Sequence, residues 1–147
     1  MYHYTERGLE NIYLKNGFVV TKEDGEEFVS FINFDGIQQA IAVAICTQKK
    51  WMSSTQLKFL RKEFNLSQTG LGQLIFCDRQ SIARWEKGEV EVPHLADVML
   101  RALYLESIDK ESHVSLTIES LADAEIADMQ SKICLEESQG EWKAVAA

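Results

Sequence analysis

Three polar side chains near the middle of the chain have the types and the spacing that recognition of DNA bases requires. Asp78 can cap a helix over "RQSIARWEK", whose first residues are Arg79 and Gln80. Arg84 follows one turn later on the same side. Arginine can bind guanine, and glutamine adenine, through paired hydrogen bonds. The sequence therefore predicts that Arg79, Gln80 and Arg84 contact base edges.

The opposite side of the same helix is apolar. Ile82 and Trp85 are three residues apart and point away from the polar residues. We expect both side chains to pack in a core and to hold the helix in place. A helix that only filled a core would not need two arginines and a glutamine on its free face.

A preceding helix is predicted over "LSQTGLGQLIF", with Ser67 as its cap. Backbone N–H groups at the start of a helix have no partner within the helix and can bind phosphate. Such contacts set the position of a protein on DNA without reading the sequence. We assign this role to Ser67, Gln68, Ser81, Lys87 and Lys58.

Positive charge is concentrated in the segment that contains these residues. The whole chain of 147 residues has a formal net charge of −8. Residues 1–48 carry three basic and seven acidic groups, and residues 94–147 carry four basic and eleven acidic groups. Residues 49–93 carry eight basic and only five acidic groups. This distribution indicates a nucleic-acid-binding segment within an acidic protein.

The flanking segments predict small β elements and further helices. Asp24-Gly25 is a two-residue turn signal between strands, and "QG" at Gln139-Gly140 suggests a terminal hairpin. Asp35 can cap a helix over "GIQQAIAVAICTQKK", and Ser53 or Ser54 can cap the next one. The acidic segment "SLTIESLADAEIADMQ" can form a helix. Inward positions are predicted at Ile37, Ile41, Ala44, Ile45, Leu57, Leu60, Phe64, Leu71, Leu74 and Ile75.

The predicted fold class is mainly α with small β elements. We divide the chain into an N-terminal β-hairpin and helix at 1–48, a helical DNA-binding domain at 49–104, and an acidic C-terminal extension at 105–147. Gly88 ends the base-reading helix, and Pro93 starts or precedes the last helix of the central domain.

The central segment resembles the Cro/repressor-type (Xre-like) helix-turn-helix of bacterial and phage regulators. The resemblance covers roughly residues 54–104 and implies a lambda-repressor-like helical domain. It implies base contacts by Arg79, Gln80 and Arg84, a phosphate contact by Gln68, and an ion pair between Arg61 and Glu86. The matching residues are Leu66-Ser67-Gln68, Leu71, Ile75, Ser81-Ile82, Arg84-Trp85-Glu86, Gly88 and Pro93.

Two residues depart from the pattern of that family. Gly72 replaces the usual alanine, at a cost of about 1 kcal/mol in helix propensity. Phe76 replaces the usual glycine at the turn, where a left-handed backbone is common. The departure at Phe76 concerns the geometry of the turn.

The function predicted from these features is that of a sequence-specific transcriptional regulator, a repressor that binds a palindromic operator in double-stranded DNA as a homodimer. The flanks are similar to small bacterial regulators that include antitoxins of toxin–antitoxin modules. The alternative is therefore an antitoxin that binds a cognate toxin protein and represses its own operon. The zinc-binding N-terminus of one such antitoxin family is absent.

The sequence gives no reason to expect catalysis or a cofactor. His3, His94 and His113 are scattered, and no Ser/His/Asp arrangement, HExxH motif or glycine-rich phosphate loop occurs. The spacing of Cys46, Cys77 and Cys134 fits neither a metal site nor a disulfide framework, and we expect reduced thiols. No apolar run approaches the ~20 residues of a membrane span. We expect a cytoplasmic protein without metal, cofactor or membrane association.

Overall fold

A computed structural model describes residues 1–108 and 132–146. Within these residues it has a mixed architecture of five helices and two small sheets, broadly compatible with the predicted fold class. The helices are α1 (Phe34–Thr47), α2 (Ser54–Glu63), α3 (Gln68–Ile75), α4 (Arg79–Lys87) and α5 (His94–Ser107). The strands are β1 (Tyr2–Tyr4), β2 (Ile12–Leu14), β3 (Phe18–Glu23), β4 (Glu26–Phe31), β5 (Ile133–Ser138) and β6 (Glu141–Val145).

The chain divides into two compact units. The first contains Met1–Ile41 together with the C-terminal strands, and the second begins at Ala42 and contains α2 to α5. The division of the chain into segments 1–48, 49–104 and 105–147 stays a prediction. The helix predicted over "SLTIESLADAEIADMQ" lies outside the described residues.

A four-stranded sheet in the order β1-β2-β5-β6 forms most of the first unit. Its central pair, β2 and β5, is parallel, with Ile12 opposite Ile133, and joins the two ends of the chain. The predicted terminal hairpin is confirmed, because β5 and β6 pair around Gln139 and Gly140, both with positive φ. Trp142 on β6 is buried and donates a hydrogen bond to the carbonyl oxygen of Ile32 at 2.8 Å.

The predicted N-terminal hairpin is also confirmed. Strands β3 and β4 form a separate two-stranded sheet, and Asp24 (φ 52°) and Gly25 (φ 83°) make the turn between them. Positive φ at both central residues matches the right-handed twist of the strands. At the base of the hairpin, the rings of Phe18 and Phe31 pack against Tyr2, at centroid distances of 5.1 and 5.7 Å.

Helix α1 begins at Phe34, one residue before Asp35, the predicted cap. Asn33, and not Asp35, accepts a hydrogen bond through its side chain from the N–H of Gly36 at 3.1 Å. Asp35 lies in the first turn, where its negative charge still suits the helix dipole. The four predicted inward positions, Ile37, Ile41, Ala44 and Ile45, are all buried, as expected.

The helices of the second unit start at the predicted caps. Ser53, of the two candidates before α2, accepts from the N–H of Gln56, whose side chain accepts in return from the Ser53 N–H. The inward residues Leu57, Leu60, Leu71 and Ile75 are buried as predicted, and so is Phe59.

One inward assignment needs correction. Leu74 is 39% exposed, because Leu71 and Ile75, four residues apart, define the buried side of the short helix α3. Phe64, at the end of α2, is half-buried, and its ring lies 5.9 Å from that of Tyr104. No helix among the described residues is both long and apolar enough to cross a membrane.

Candidate nucleic-acid interface

The connection between α3 and α4 is a three-residue turn that begins with a left-handed residue. Phe76 has φ 61° and ψ 43° and follows the last residue of α3. The N–H of Cys77 then donates to the carbonyl oxygen of Gly72 at 2.8 Å. A Cβ atom at Gly72 would collide with the carbonyl oxygen of Cys77. Glycine at position 72 thus permits the close approach on which this turn depends.

Asp78 caps the N-terminus of α4, as predicted. Its Oδ1 accepts a hydrogen bond from the N–H of Ser81 at 2.7 Å. The hydrogen bonds from Ser81, and the positive charge of Arg84 to a smaller extent, lower the pKa of the Asp78 carboxyl group. Gly88 ends the same helix in the left-handed conformation (φ 76°), also as predicted. Both ends of α4 are therefore fixed by local interactions.

Helix α4 has one buried side and one exposed side. Ile82 is fully buried and Trp85 is 6% exposed, which confirms their predicted packing. Arg79, Gln80 and Arg84 are all exposed. Among the described residues, neither arginine takes part in an ion pair. Two guanidinium groups and an amide on one short helix are thus available to a ligand.

A buried ion pair joins α2 to the C-terminal half of α4. Arg61 Nε lies 2.6 Å from Glu86 Oε2, and Arg61 Nη2 lies 3.0 Å from Glu86 Oε1. Their side chains are only 10% and 3% exposed. The remaining Nη1 of Arg61 donates to the carbonyl oxygen of Leu66 at 2.8 Å. This pair, which the family resemblance implies, fixes the helix turn that presents Arg84.

Gln68 is held by the same carboxylate. Its Nε2 donates to Glu86 Oε1 at 3.2 Å, so that the side chain is occupied within the protein. The hydroxyl of Ser67 accepts from the N–H of Gly70 at 2.9 Å as the cap of α3. Sequence reasoning did not foresee the contact of Gln68, because the two residues are eighteen positions apart and lie on different helices.

The other residues predicted to contact phosphate are less closely grouped. Lys58 on α2 and Lys87 at the end of α4 are exposed, and Ser81 is half-buried. The N–H of Ser81 is the group that Asp78 binds. No hydrogen bond or ion pair in the described chain links Lys58 to α4, although α2 and α4 pack together.

A second buried pair, missed from the sequence, positions the segment before α2. Arg101 on α5 is fully buried and is paired with Asp97, four residues earlier. Its Nη1 and Nη2 donate to the carbonyl oxygens of Gln48 (2.8 Å) and Lys50 (2.6 Å), and Asp97 Oδ2 accepts from the N–H of Met52 at 2.7 Å. The signal in the sequence is an opposite-charge pair at i, i+4 within an apolar helix.

The described residues contain no group of three or more His, Cys, Asp or Glu side chains that could hold a metal ion. Cys46, Cys77 and Cys134 are free thiols. Burial raises the pKa of the Cys46 thiol to about 12, so that it stays protonated at neutral pH. Comparison of the chain with protein-family models, with curated proteins and with solved structures finds no match.

Proposed function

We propose that this protein is a sequence-specific regulator that binds duplex DNA, with α3 and α4 acting as a helix-turn-helix. The observation that carries the proposal is the exposed face of α4. Arg79 and Gln80 lie at its capped N-terminus, and Arg84 lies one turn later. The major groove is wide enough for one α-helix, so that the first turns of α4 reach base edges.

Rigid presentation of Arg84 supports a role in reading sequence. Arg84 lies next to Trp85, which is buried, and two residues before Glu86, which is paired with Arg61. A guanidinium group recognises guanine through two parallel hydrogen bonds, which requires a defined direction of approach. We assign guanine recognition to Arg84 and Arg79, and adenine recognition to Gln80.

Phosphate contacts are proposed at the starts of α3 and α4 and at the flanking lysines. The side chains of Ser67 and Gln68 are occupied within the protein, and the N–H of Gly70 is bound to Ser67. The backbone N–H groups of Gln68 and Thr69 in the first turn of α3 are therefore the groups offered to a phosphate. Ser81, Lys58 and Lys87 complete the set. Lysine contacts of this kind strengthen binding to any sequence.

The division of charge between the units favours DNA binding by the second one. Residues 42–108 carry nine basic and seven acidic groups, whereas 1–41 and 132–146 together carry five basic and ten acidic groups. Arg61 and Arg101 are buried in ion pairs, so that the exposed cations of the second unit include the arginines of α4. We propose that two copies place their α4 helices about 34 Å apart on a palindromic operator and repress transcription.

Affinity measurements with salt titration test this function. The duplex is selected by the wild-type chain from a library of random sequences, and binding is followed by fluorescence anisotropy. The binding constant is expected to fall steeply between about 50 and 200 mM salt. The double variant Arg79→Ala/Arg84→Ala should bind at least tenfold more weakly, while Lys143→Ala, an exposed lysine of the acidic unit, should bind as the wild type does. Failure to select any duplex would refute the proposal.

A protein partner is a second candidate function, and the β3–β4 hairpin favours it. Val19, Val20 and Phe28 on this hairpin are 53%, 46% and 49% exposed. Its distal part carries Glu23, Asp24, Glu26 and Glu27 with the single cation Lys22. A two-stranded hairpin is marginally stable alone in water. An apolar arm with an acidic end suits a basic protein, as an antitoxin role would require.

Co-purification tests this second function. The chain is co-expressed with the product of the neighbouring reading frame, if that product is a small basic protein. A complex that forms with the wild type and is lost in Phe28→Lys, while binding of DNA persists, would support an antitoxin. Equal recovery of the complex with Phe28→Lys would exclude the hairpin as the docking surface.

A further inference from the structure

Phe76 combines two unfavourable features at one position. The residue is 91% exposed, the highest value among the large apolar residues of the described chain. Its backbone is left-handed, with φ 61° and ψ 43°. A β-carbon is strained in this region, and glycine is the residue that adopts it without penalty. Neither burial nor backbone geometry therefore accounts for a phenylalanine here.

The turn gives the backbone of Phe76 little room to relax. The N–H of Cys77 donates to the carbonyl oxygen of Gly72, and the carbonyl oxygen of Cys77 lies so close that it would collide with a Cβ of Gly72. Asp78 is fixed on the other side by its bond to Ser81. Strain that persists in a fixed turn indicates a function for the side chain.

The position of Phe76 relative to α4 suggests what it contacts. Phe76 is three positions before Arg79 in the chain, so that their Cα atoms are at most about 10 Å apart. A helix with its side chains is about 10–12 Å in diameter, and the major groove is about 12 Å wide, so that the entering end of a helix lies close to the groove walls. The apolar groups there are the thymine methyl, which projects from the base edge into the groove, and the deoxyribose carbons of the wall.

We propose that Phe76 makes an apolar contact with DNA, to a thymine methyl group at the edge of the site that α4 reads. This inference rests on the proposed function and adds to it a residue that determines affinity and sequence preference. The ring would lose exposed apolar surface only in the complex, which offsets the strain of the left-handed backbone. The alternative is that the ring of Phe76 contacts a second copy of the chain or another protein. Measurements of DNA affinity and of self-association distinguish these contacts.

The experiment compares the wild type with Phe76→Gly and Phe76→Ala. Both variants remove the ring, but only glycine relieves the strain. Phe76→Gly should melt about 3 °C higher than the wild type. Both variants should bind the selected duplex about tenfold more weakly, the loss expected when part of an aromatic side chain stays in water. Leu74→Ala, an exposed apolar residue of the same region, is the matched control and should bind normally.

Duplexes in which single thymines are replaced by uracil locate the contact, because uracil lacks only the methyl group. One replacement should weaken wild-type binding and leave the Phe76 variants unaffected. Variants that bind more weakly without any such position would overturn the assignment of the contact to a thymine methyl group. Unchanged affinity in both variants would overturn the inference, as would a loss of affinity that sedimentation traces to weaker self-association. If the wild type binds no duplex, the proposed function itself fails.

Discussion

At the scale of single residues, Gly72 is the position at which the smallest change has the clearest consequence. We expect Gly72→Ala to lower the free energy of unfolding by about 1 kcal/mol or more, although alanine has the better helix propensity. The added Cβ would collide with the carbonyl oxygen of Cys77, a backbone atom that cannot move without opening the turn. Urea denaturation measures the change.

Gln73→Ala provides the control for Gly72→Ala. Gln73 is exposed on the same helix, so that its replacement should change stability by less than about 0.5 kcal/mol. Equal stability of the wild type and Gly72→Ala would mean that α3 and α4 are joined by a different turn.

Asp78 gives the stability of the protein a dependence on pH. Its pKa is lowered by the hydrogen bonds from Ser81, so that folding favours the ionised form. The stabilisation is therefore complete above the unfolded pKa of about 4 and is lost as the pH falls through the lower folded value. Asp78→Asn retains a good cap but cannot titrate.

Thermal melting between neutral pH and acid compares the two proteins. The stability of the wild type relative to Asp78→Asn should decline below roughly pH 4 and be constant above roughly pH 5. A constant difference over the whole range would show that the carboxylate does not cap α4.

The helix caps show what can be read from single residues. Ser53, Ser67 and Asp78 are predictable because a cap bonds a backbone group only three residues away. Asn33 was missed because it adopts a positive φ (49°), which the sequence does not indicate, and Asp35 offered a plausible alternative. The sequence predicts that the amide of Gln68 contacts phosphate. Within the protein this amide donates a hydrogen bond to the carboxylate of Glu86, which is distant in sequence.

At the scale of secondary-structure elements, the Arg61–Glu86 pair connects α2 to α4. Arg61→Ala would leave the carboxylate of Glu86, 3% exposed, without the positive charge that balances it. We expect a loss of about 3–5 kcal/mol in the free energy of unfolding, and a similar loss for Glu86→Ala. Because the two residues act together, the double variant should lose less than the sum of the single losses. Chemical denaturation of the four proteins gives the coupling energy.

Lys22 and Glu27 provide a contrasting pair. Lys22 Nζ lies 3.6 Å from Glu27 Oε1 on the β3–β4 hairpin, and the two side chains are 74% and 63% exposed. Lys22→Ala should change stability by less than about 0.5 kcal/mol. A coupling energy for Arg61 and Glu86 as small as that of this surface pair would contradict their role in holding α4.

Hairpins and amphipathic helices were predictable because their signals are local. Asp24-Gly25 and Gln139-Gly140 mark turns whose strands pair with their nearest neighbours. The parallel pairing of β2 with β5 was not, since it joins Ile12 to Ile133 and depends on contacts between the ends of the chain. Leu74 was misplaced because three apolar residues compete for one side of a helix of eight residues.

At the scale of the whole molecule, the distribution of charge is more informative than its sum. The net charge of −8 would repel DNA, yet the second unit carries more basic than acidic groups. The acidic first unit presents an exposed apolar hairpin instead. We infer that the two units serve different partners, with DNA bound by the second unit.

Base reading by α4 is tested by the affinity of Arg84→Ala for the selected duplex and for each of its single-base-pair variants. We predict that the wild type discriminates about 5- to 150-fold at one guanine, and that Arg84→Ala loses discrimination at that position while it retains discrimination at the others. The variant should melt at the same temperature as the wild type, because Arg84 is exposed. If Arg84→Ala ranks all duplexes as the wild type does, α4 does not read bases through Arg84, and the role proposed for this helix is contradicted.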